Sequence, residues 1–163
     1  MASLPHNLQE RNEPAMKRVL VSACLLGLPC RYDGRFVPTD LSELKRVAAI
    51  VPFCPEIYGG LPTPRPSAER VGDCVKTRDG ADVTEAFQRG AMLAVETAKA
   101  LDCHYALLKD KSPSCGQGRI YDGTFTGTLT DGDGMAAEAL MRAGVRVFLP
   151  QSLDALLSAL RED

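Results

Sequence analysis

Four short apolar runs mark out the chain: Val19-Leu20-Val21-Ser22-Ala23-Cys24-Leu25, Ala49-Ile50-Val51-Pro52-Phe53, Tyr105-Ala106-Leu107-Leu108 and Val145-Arg146-Val147-Phe148-Leu149. Hydrophobicity that runs on, rather than alternating with polar residues, predicts strands buried on both faces, as in a parallel sheet. Between them the period changes to that of a helix. Leu41, Leu44, Val47 and Ala48 share one face behind a cap at Thr39 or Asp40. Phe87, Ala91, Ala94, Ala98 and Leu101 line a longer helix that opens at Thr84. Met135 to Ala143 reads as a third helix with Gly144 at its end, and Ser152 caps a closing helix through Leu160. Strand and helix alternate, so the predicted fold is α/β and Rossmann-like, a mostly parallel sheet with helices on both faces.

Four stretches break the pattern. Gly27 to Gly34 is a Gly/Pro loop. Tyr58-Gly59-Gly60-Leu61-Pro62-Thr63-Pro64-Arg65-Pro66 holds too many prolines and glycines for a regular element and predicts a stiff, shaped loop. Val71 to Val83 reads as a small hairpin turning at Asp79-Gly80, and Ile120 to Phe125 as a second hairpin or loop excursion. Residues 1 to about 16 show no periodicity and are expected to form a flexible leader, leaving 17–163 as one domain.

Composition narrows the function classes. The 163 residues carry a net charge of −2, with no clustered Lys and Arg of the kind duplex nucleic acid requires. The first residues lack the apolar core of a secretory signal, and no run is long enough to span a membrane. A cytoplasmic protein without membrane or duplex partners is expected. Six cysteines then need a reason, because disulfides are disfavoured in that compartment. Only two histidines are present, so a His-rich zinc site is disfavoured, and thiolate ligation of zinc or an iron–sulfur cluster remains.

Position sorts the cysteines. Cys24, Cys54 and Cys115 each fall at or just beyond the carboxyl end of a predicted strand, where parallel α/β sheets bind their ligands. A single strand cysteine is more often plain core. Cys54 and Cys115, however, sit in loops among Pro, Gly and polar residues. Cys103 reads as core, Cys74 as structural or exposed, and Cys30 as ambiguous inside a functional-looking loop. Three convergent thiolates leave one metal position open, while a fourth would close the site.

Seven segments together carry a resemblance: Ser22-Ala23-Cys24-Leu25-Leu26-Gly27, Cys30-Arg31-Tyr32-Asp33-Gly34, Cys54-Pro55-Glu56, Gly59-Gly60-Leu61-Pro62-Thr63-Pro64-Arg65, Asp82-Val83-Thr84, Ser112-Pro113-Ser114-Cys115-Gly116 and Ile120-Tyr121-Asp122-Gly123-Thr124-Phe125. In this order, over about residues 18 to 150, the chain resembles the thiouracil desulfidase family, in its short form without an extra C-terminal domain. The resemblance implies non-redox desulfuration of thiolated uracil compounds at a [4Fe-4S] cluster bound by Cys24, Cys54 and Cys115, with Glu56 and Ser112 as catalytic acid/base residues. It also implies 4-thiouridine monophosphate or free thiouracil as substrate, and dependence on the iron–sulfur assembly machinery.

Other readings stand beside it. Glu56 can be a solvated loop carboxylate or an ion-pair partner of Arg65 or Arg70, and Ser112 an ordinary turn residue. Arg31 and Arg65 are candidates for a substrate phosphate. Asp33, Asp122 and Lys111 are candidates for lining the pocket. The Gly123–Gly134 stretch lacks the Lys and spacing of a P-loop, and an ordinary loop is expected there. The rival functions are a zinc hydrolase or deaminase, a thiol-redox protein, and a cluster- or zinc-containing module that binds small molecules without catalysis. The first lacks His-x-Glu with Cys-x-x-Cys, and the second lacks Cys-x-x-Cys.

Overall fold

A computed structural model describes residues 16–162, so residues 1–15 of the predicted leader lie outside the described residues. The chain runs from β1 (Arg18–Ser22) through a 3-10 turn (Ala23–Leu26) to α1 (Ser42–Val47), β2 (Ala49–Phe53) and the single-turn α2 (Pro55–Tyr58). A hairpin of β3 (Ala68–Val71) and β4 (Cys74–Thr77) precedes the long α3 (Thr84–Ala100) and β5 (Cys103–Leu107). A second hairpin, β6 (Arg119–Tyr121) and β7 (Leu129–Asp131), is followed by α4 (Met135–Arg142) and β8 (Arg146–Phe148). A 3-10 turn (Pro150–Ser152) then leads into α5 (Leu153–Glu162).

The four apolar runs become the four strands of one parallel sheet, in the order β2-β1-β5-β8. Their side chains divide between two layers, as a period of two requires. Val19, Val21, Tyr105 and Leu107 pack with Leu44, Leu156, Leu157 and Leu160 from α1 and α5. Leu20, Ala106 and Leu108 pack with Ala91, Ala94 and Ala98 of α3 and Ala136, Ala137 and Leu140 of α4. Helices therefore cover both faces, as the sequence predicts. The small residues of α3 let it lie close to α4 and the sheet.

Several boundaries differ from expectation. The first hairpin turns at Gly72-Asp73, with Val71 opposite Cys74, not at Asp79-Gly80. Asp79-Gly80 forms a second reversal, in which the Thr77 and Ala81 backbones bond and Gly80 N–H reaches Thr77 O. The alternation is hard to read because Glu69, a charged residue, occupies an inward position of β3. Thr84 does not cap α3. The carboxylate of Asp82 accepts the Thr84 N–H at 2.9 Å, and the Thr84 hydroxyl ties the helix to the Val75 backbone of β4. Val47 and Leu101, expected on buried faces, are exposed at helix ends. Ser152 lies inside the 3-10 turn rather than capping α5.

The sheet order places the site. From β1 the chain crosses to β2 on one side and later to β5 on the other, so β1 and β5 flank a switch point. The carboxyl ends of β1, β2 and β5 finish nearly level, with Ser22 beside Phe53 and Val21 beside Leu107. The Ser22 hydroxyl accepts the Lys109 N–H at 2.9 Å and pins the exit of β5 to the end of β1.

Candidate active site

Each cysteine of interest is set by a turn just beyond a strand. Cys24 lies in the 3-10 turn that ends β1, at 7 % exposure. Cys54 leaves β2 directly before Pro55, which starts α2 with its fixed backbone angle. Cys115 closes the loop after β5 and is 5 % exposed. That loop is clamped against the start of α4. Met135 N–H bonds Pro113 O at 2.8 Å, Ala136 N–H bonds Ser114 O at 2.9 Å, and Gly134 N–H bonds Gly116 O at 2.7 Å. The contact is so close that a Cβ at Gly134 would lie 2.5 Å from the Ser114 carbonyl.

All three open onto one cleft of about 310 Å³. Cys30, ambiguous from sequence, opens onto it as well. Its thiol shares hydrogen-bonding contact with those of Cys24 and Cys54, and the Cys54 thiol points at the Cys30 carbonyl at 3.9 Å. The remaining two cysteines are elsewhere: Cys103 is core within β5, and Cys74 is exposed on the hairpin. Among the described residues, no three His, Cys, Asp or Glu side chains gather as ligands of a single metal ion. His104, near the start of β5, pairs on the surface with Asp102 just before that strand, at the end opposite the cleft.

The thiols of Cys30, Cys54 and Cys115 resist ionisation on their own. Burial raises Cys115 to about 12, against a lowering hydrogen bond from Ser22. The contact with Cys24, together with desolvation, raises Cys30 to about 11. Cys54 is also raised, by its contact with Cys30 and by burial. A thiol in that setting loses its proton when a metal takes the proton's place. The donor set is therefore one for a thiophilic metal rather than for free thiolate chemistry.

Beside the thiols runs a polar chain. Glu56 occupies the first turn of α2, and its Oε1 accepts from Arg65 Nε at 3.2 Å. Its Oε2 accepts from the Ser114 hydroxyl at 2.9 Å. Ser114 is 1 % exposed and 2.9 Å from the Ser112 hydroxyl. Since the single proton of Ser114 goes to Glu56, Ser112 donates to Ser114. Ser112 Oγ in turn accepts the N–H groups of Ser114 and Cys115, at 3.1 and 2.9 Å, so it is a turn residue as well as a member of the chain. The sequence alone does not single out Ser114, although it stands inside the same Ser-Pro-Ser-Cys motif.

Arg65 differs most from its expected place. Its guanidinium also donates to Pro62 O (3.1 Å), Thr63 Oγ1 (3.0 Å) and Cys30 O (2.9 Å). With four contacts made and its side chain 4 % exposed, it has no face left for a substrate phosphate. It ties the Pro-rich loop, the Cys30 loop and Glu56 together. Arg31 does line the cleft, over the Tyr32 ring and 3.6 Å from Asp33. Asp33, Lys111 and Asp122 are not among its walls. Asp33 instead pairs with Arg31 and accepts the Arg35 N–H. The two hairpins and the residues next to them also line the cleft, through Glu69, Arg78, Tyr121, Phe125 and Gly127.

The family model for 2-thiouracil desulfurase matches residues 19–152, which span every strand and loop of this cleft. The chain belongs to the 2-thiouracil desulfurase family. A solved structure titled [4Fe-4S]-dependent thiouracil desulfidase TudS is similar to it with a TM-score of 0.86 at 47% identity, over 90% of this chain and 99% of that one. The uncharacterized protein YbbK of Bacillus subtilis (strain 168) is 38% identical over 150 residues, covering 85% of this chain and 99% of its own length. In this member of the 2-thiouracil desulfurase family, the strand-end cysteines converge on one cleft beside a switch point.

Proposed function

We propose that this protein removes sulfur from thiolated uracil compounds by a non-redox route, at a [4Fe-4S] cluster held by Cys24, Cys54 and Cys115 within a single domain over 17–163. The observation that carries the reading is the meeting of these thiols with Glu56 in one cleft, in a chain so similar to a [4Fe-4S]-dependent desulfidase. The proposed substrates are 4-thiouridine monophosphate and free thiouracil, and the site of action is the cytoplasm, supplied by the iron–sulfur assembly machinery.

When bound, the cluster supplies a Lewis-acidic iron with affinity for the thiocarbonyl sulfur. Glu56 removes a proton from the attacking water. Arg65 fixes the direction of the Glu56 carboxylate toward the cleft. Once Glu56 is protonated, the Ser114 and Ser112 hydroxyls reverse their resting donation, so that Glu56 gives its proton to Ser114 and Ser112 gives one to the departing sulfur or to the ring. The balance is a thiocarbonyl plus water giving a carbonyl plus hydrogen sulfide, with no electrons exchanged. The test is sulfide release from 4-thiouridine monophosphate by anaerobically reconstituted protein. Release in the parent and none in Cys115→Ala is expected. An intact cluster with no release from any thiouracil would overturn the proposal and favour a binding module, which the nearness of Cys30 as a fourth thiol would suit.

A further inference from the structure

Four cationic side chains line the cleft, and three are committed. Arg65 is bound to Glu56 and three loop acceptors. Arg31 pairs with Asp33 at 3.6 Å, and Lys109 lies 3.9 Å from Asp110 and donates to its carbonyl. The fourth, Arg78, has no carboxylate partner among the described residues. Its guanidinium lies over the Phe125 ring, 5.4 Å from the centroid, and its backbone N–H is fixed to Ser67 O at 2.9 Å.

Phe125 is itself held in an unusual conformation. It has φ +57°, a region that bulky side chains avoid and that tends to be retained where function needs it. The carboxylate of Glu69 maintains it. Glu69 Oε1 accepts the Gly123 N–H at 2.9 Å and the Phe125 N–H at 3.1 Å, and the residue is buried. A buried charge spent on two amides, a strained aromatic and an unpaired guanidinium thus form one rim unit, drawn from both hairpins. The unit lines the same cleft as the thiols.

We propose that Arg78, seated on Phe125, is an anion-binding subsite that makes the enzyme prefer thiolated pyrimidines bearing a phosphate over uncharged ones. This rests on the desulfuration reading above. The guanidinium offers a planar, bidentate face that matches a phosphate, and its charge is otherwise unanswered. Phe125 is a positioning residue that sets where this face points. Arg78, a residue no motif marks, thereby replaces Arg31 and Arg65, the phosphate candidates read from the sequence.

The test compares kcat/KM for 4-thiouridine monophosphate and for uncharged 4-thiouridine on reconstituted holoenzyme. The variants are Arg78→Leu, Arg78→Lys and Phe125→Leu, and UMP is titrated calorimetrically into each. In Arg78→Leu the nucleotide-over-nucleoside preference falls about tenfold, through KM, and UMP affinity falls alongside. Arg78→Lys restores part of both, and Phe125→Leu reproduces part of the loss. Equal losses on the two substrates, or an unchanged preference, would overturn the subsite. If the parent desulfurates neither compound, the desulfuration reading fails, and the UMP titration still decides. Weaker UMP binding in Arg78→Leu then upholds the subsite, and equal or absent binding overturns it.

Discussion

At the scale of single residues, Glu56 and Arg65 do different work and should fail differently. Glu56→Gln keeps the shape and loses the proposed base. Turnover is expected to fall by about 10²- to 10⁴-fold, while the brown absorbance of the cluster remains. Arg65→Ala removes a buried cation from Glu56, Thr63 and two carbonyls, and about 3 kcal/mol of stability should go with it, read from urea unfolding of the apoprotein. The cysteines separate in the same way. Cys24→Ala, Cys54→Ala and Cys115→Ala are each expected to lose bound iron. Cys30→Ala should keep it, because three ligands suffice in the proposed site. Iron-to-protein ratios after reconstitution measure this, and loss of iron in Cys30→Ala would mean that the site closes with four. At the surface, Thr84 hydrogen bonds hold the Asp82 carboxyl below its ordinary 3.8. A folded pKa below the unfolded one adds stability above about 3.8 that is lost as pH falls further. Asp82→Asn keeps the cap acceptor without the charge, so its unfolding midpoint should fall less steeply on acidification than the parent's.

At the scale of elements, the loop between β5 and β6 depends on α4. Gly134 is the hinge of that contact, and Gly134→Ala would push a methyl group into the Ser114 carbonyl. Because Ser114 and Cys115 move together, the variant is expected to lose iron loading and turnover at once, with a lower melting temperature in the same preparation. This coupling is not legible in the sequence, where Gly134 is one glycine in a Gly- and Asp-rich stretch. The strands are legible, since Val19–Val21 and Ala106–Leu108 are buried from both sides and need continuous apolar residues. The first hairpin is misplaced by its sequence pattern because Glu69 spends a buried position on backbone amides, which no hydrophobic pattern records. The role of Arg65 is hidden for a similar reason. Three of its four acceptors are loop groups, two of them backbone carbonyls whose direction depends on the folded path of the loop. Cys24, Cys54 and Cys115 are readable as a set only because strand ends in a parallel sheet share one edge.

At the scale of the whole molecule, the two hydrophobic layers lie on either face of the sheet, and the cleft lies at its edge. Stripping iron with a chelator should therefore lower the melting temperature, because a ligand of the native state is lost. The far-UV circular dichroism should stay unchanged, and its collapse on chelation would show that the metal centre is needed for folding itself. No helix among the described residues is long and apolar enough to cross a membrane. The sheet order has one more consequence, for how the protein is made. The first strand of the chain sits inside the sheet, and its second neighbour is β5, some 80 residues later. Cys115 is fixed only once α4 has been added. A nascent chain thus exposes Cys24 and Cys54 long before their companion exists. With the cluster held as proposed by Cys24, Cys54 and Cys115, metal delivery would wait until α4 has been made, and maturation would follow most of synthesis rather than accompany it.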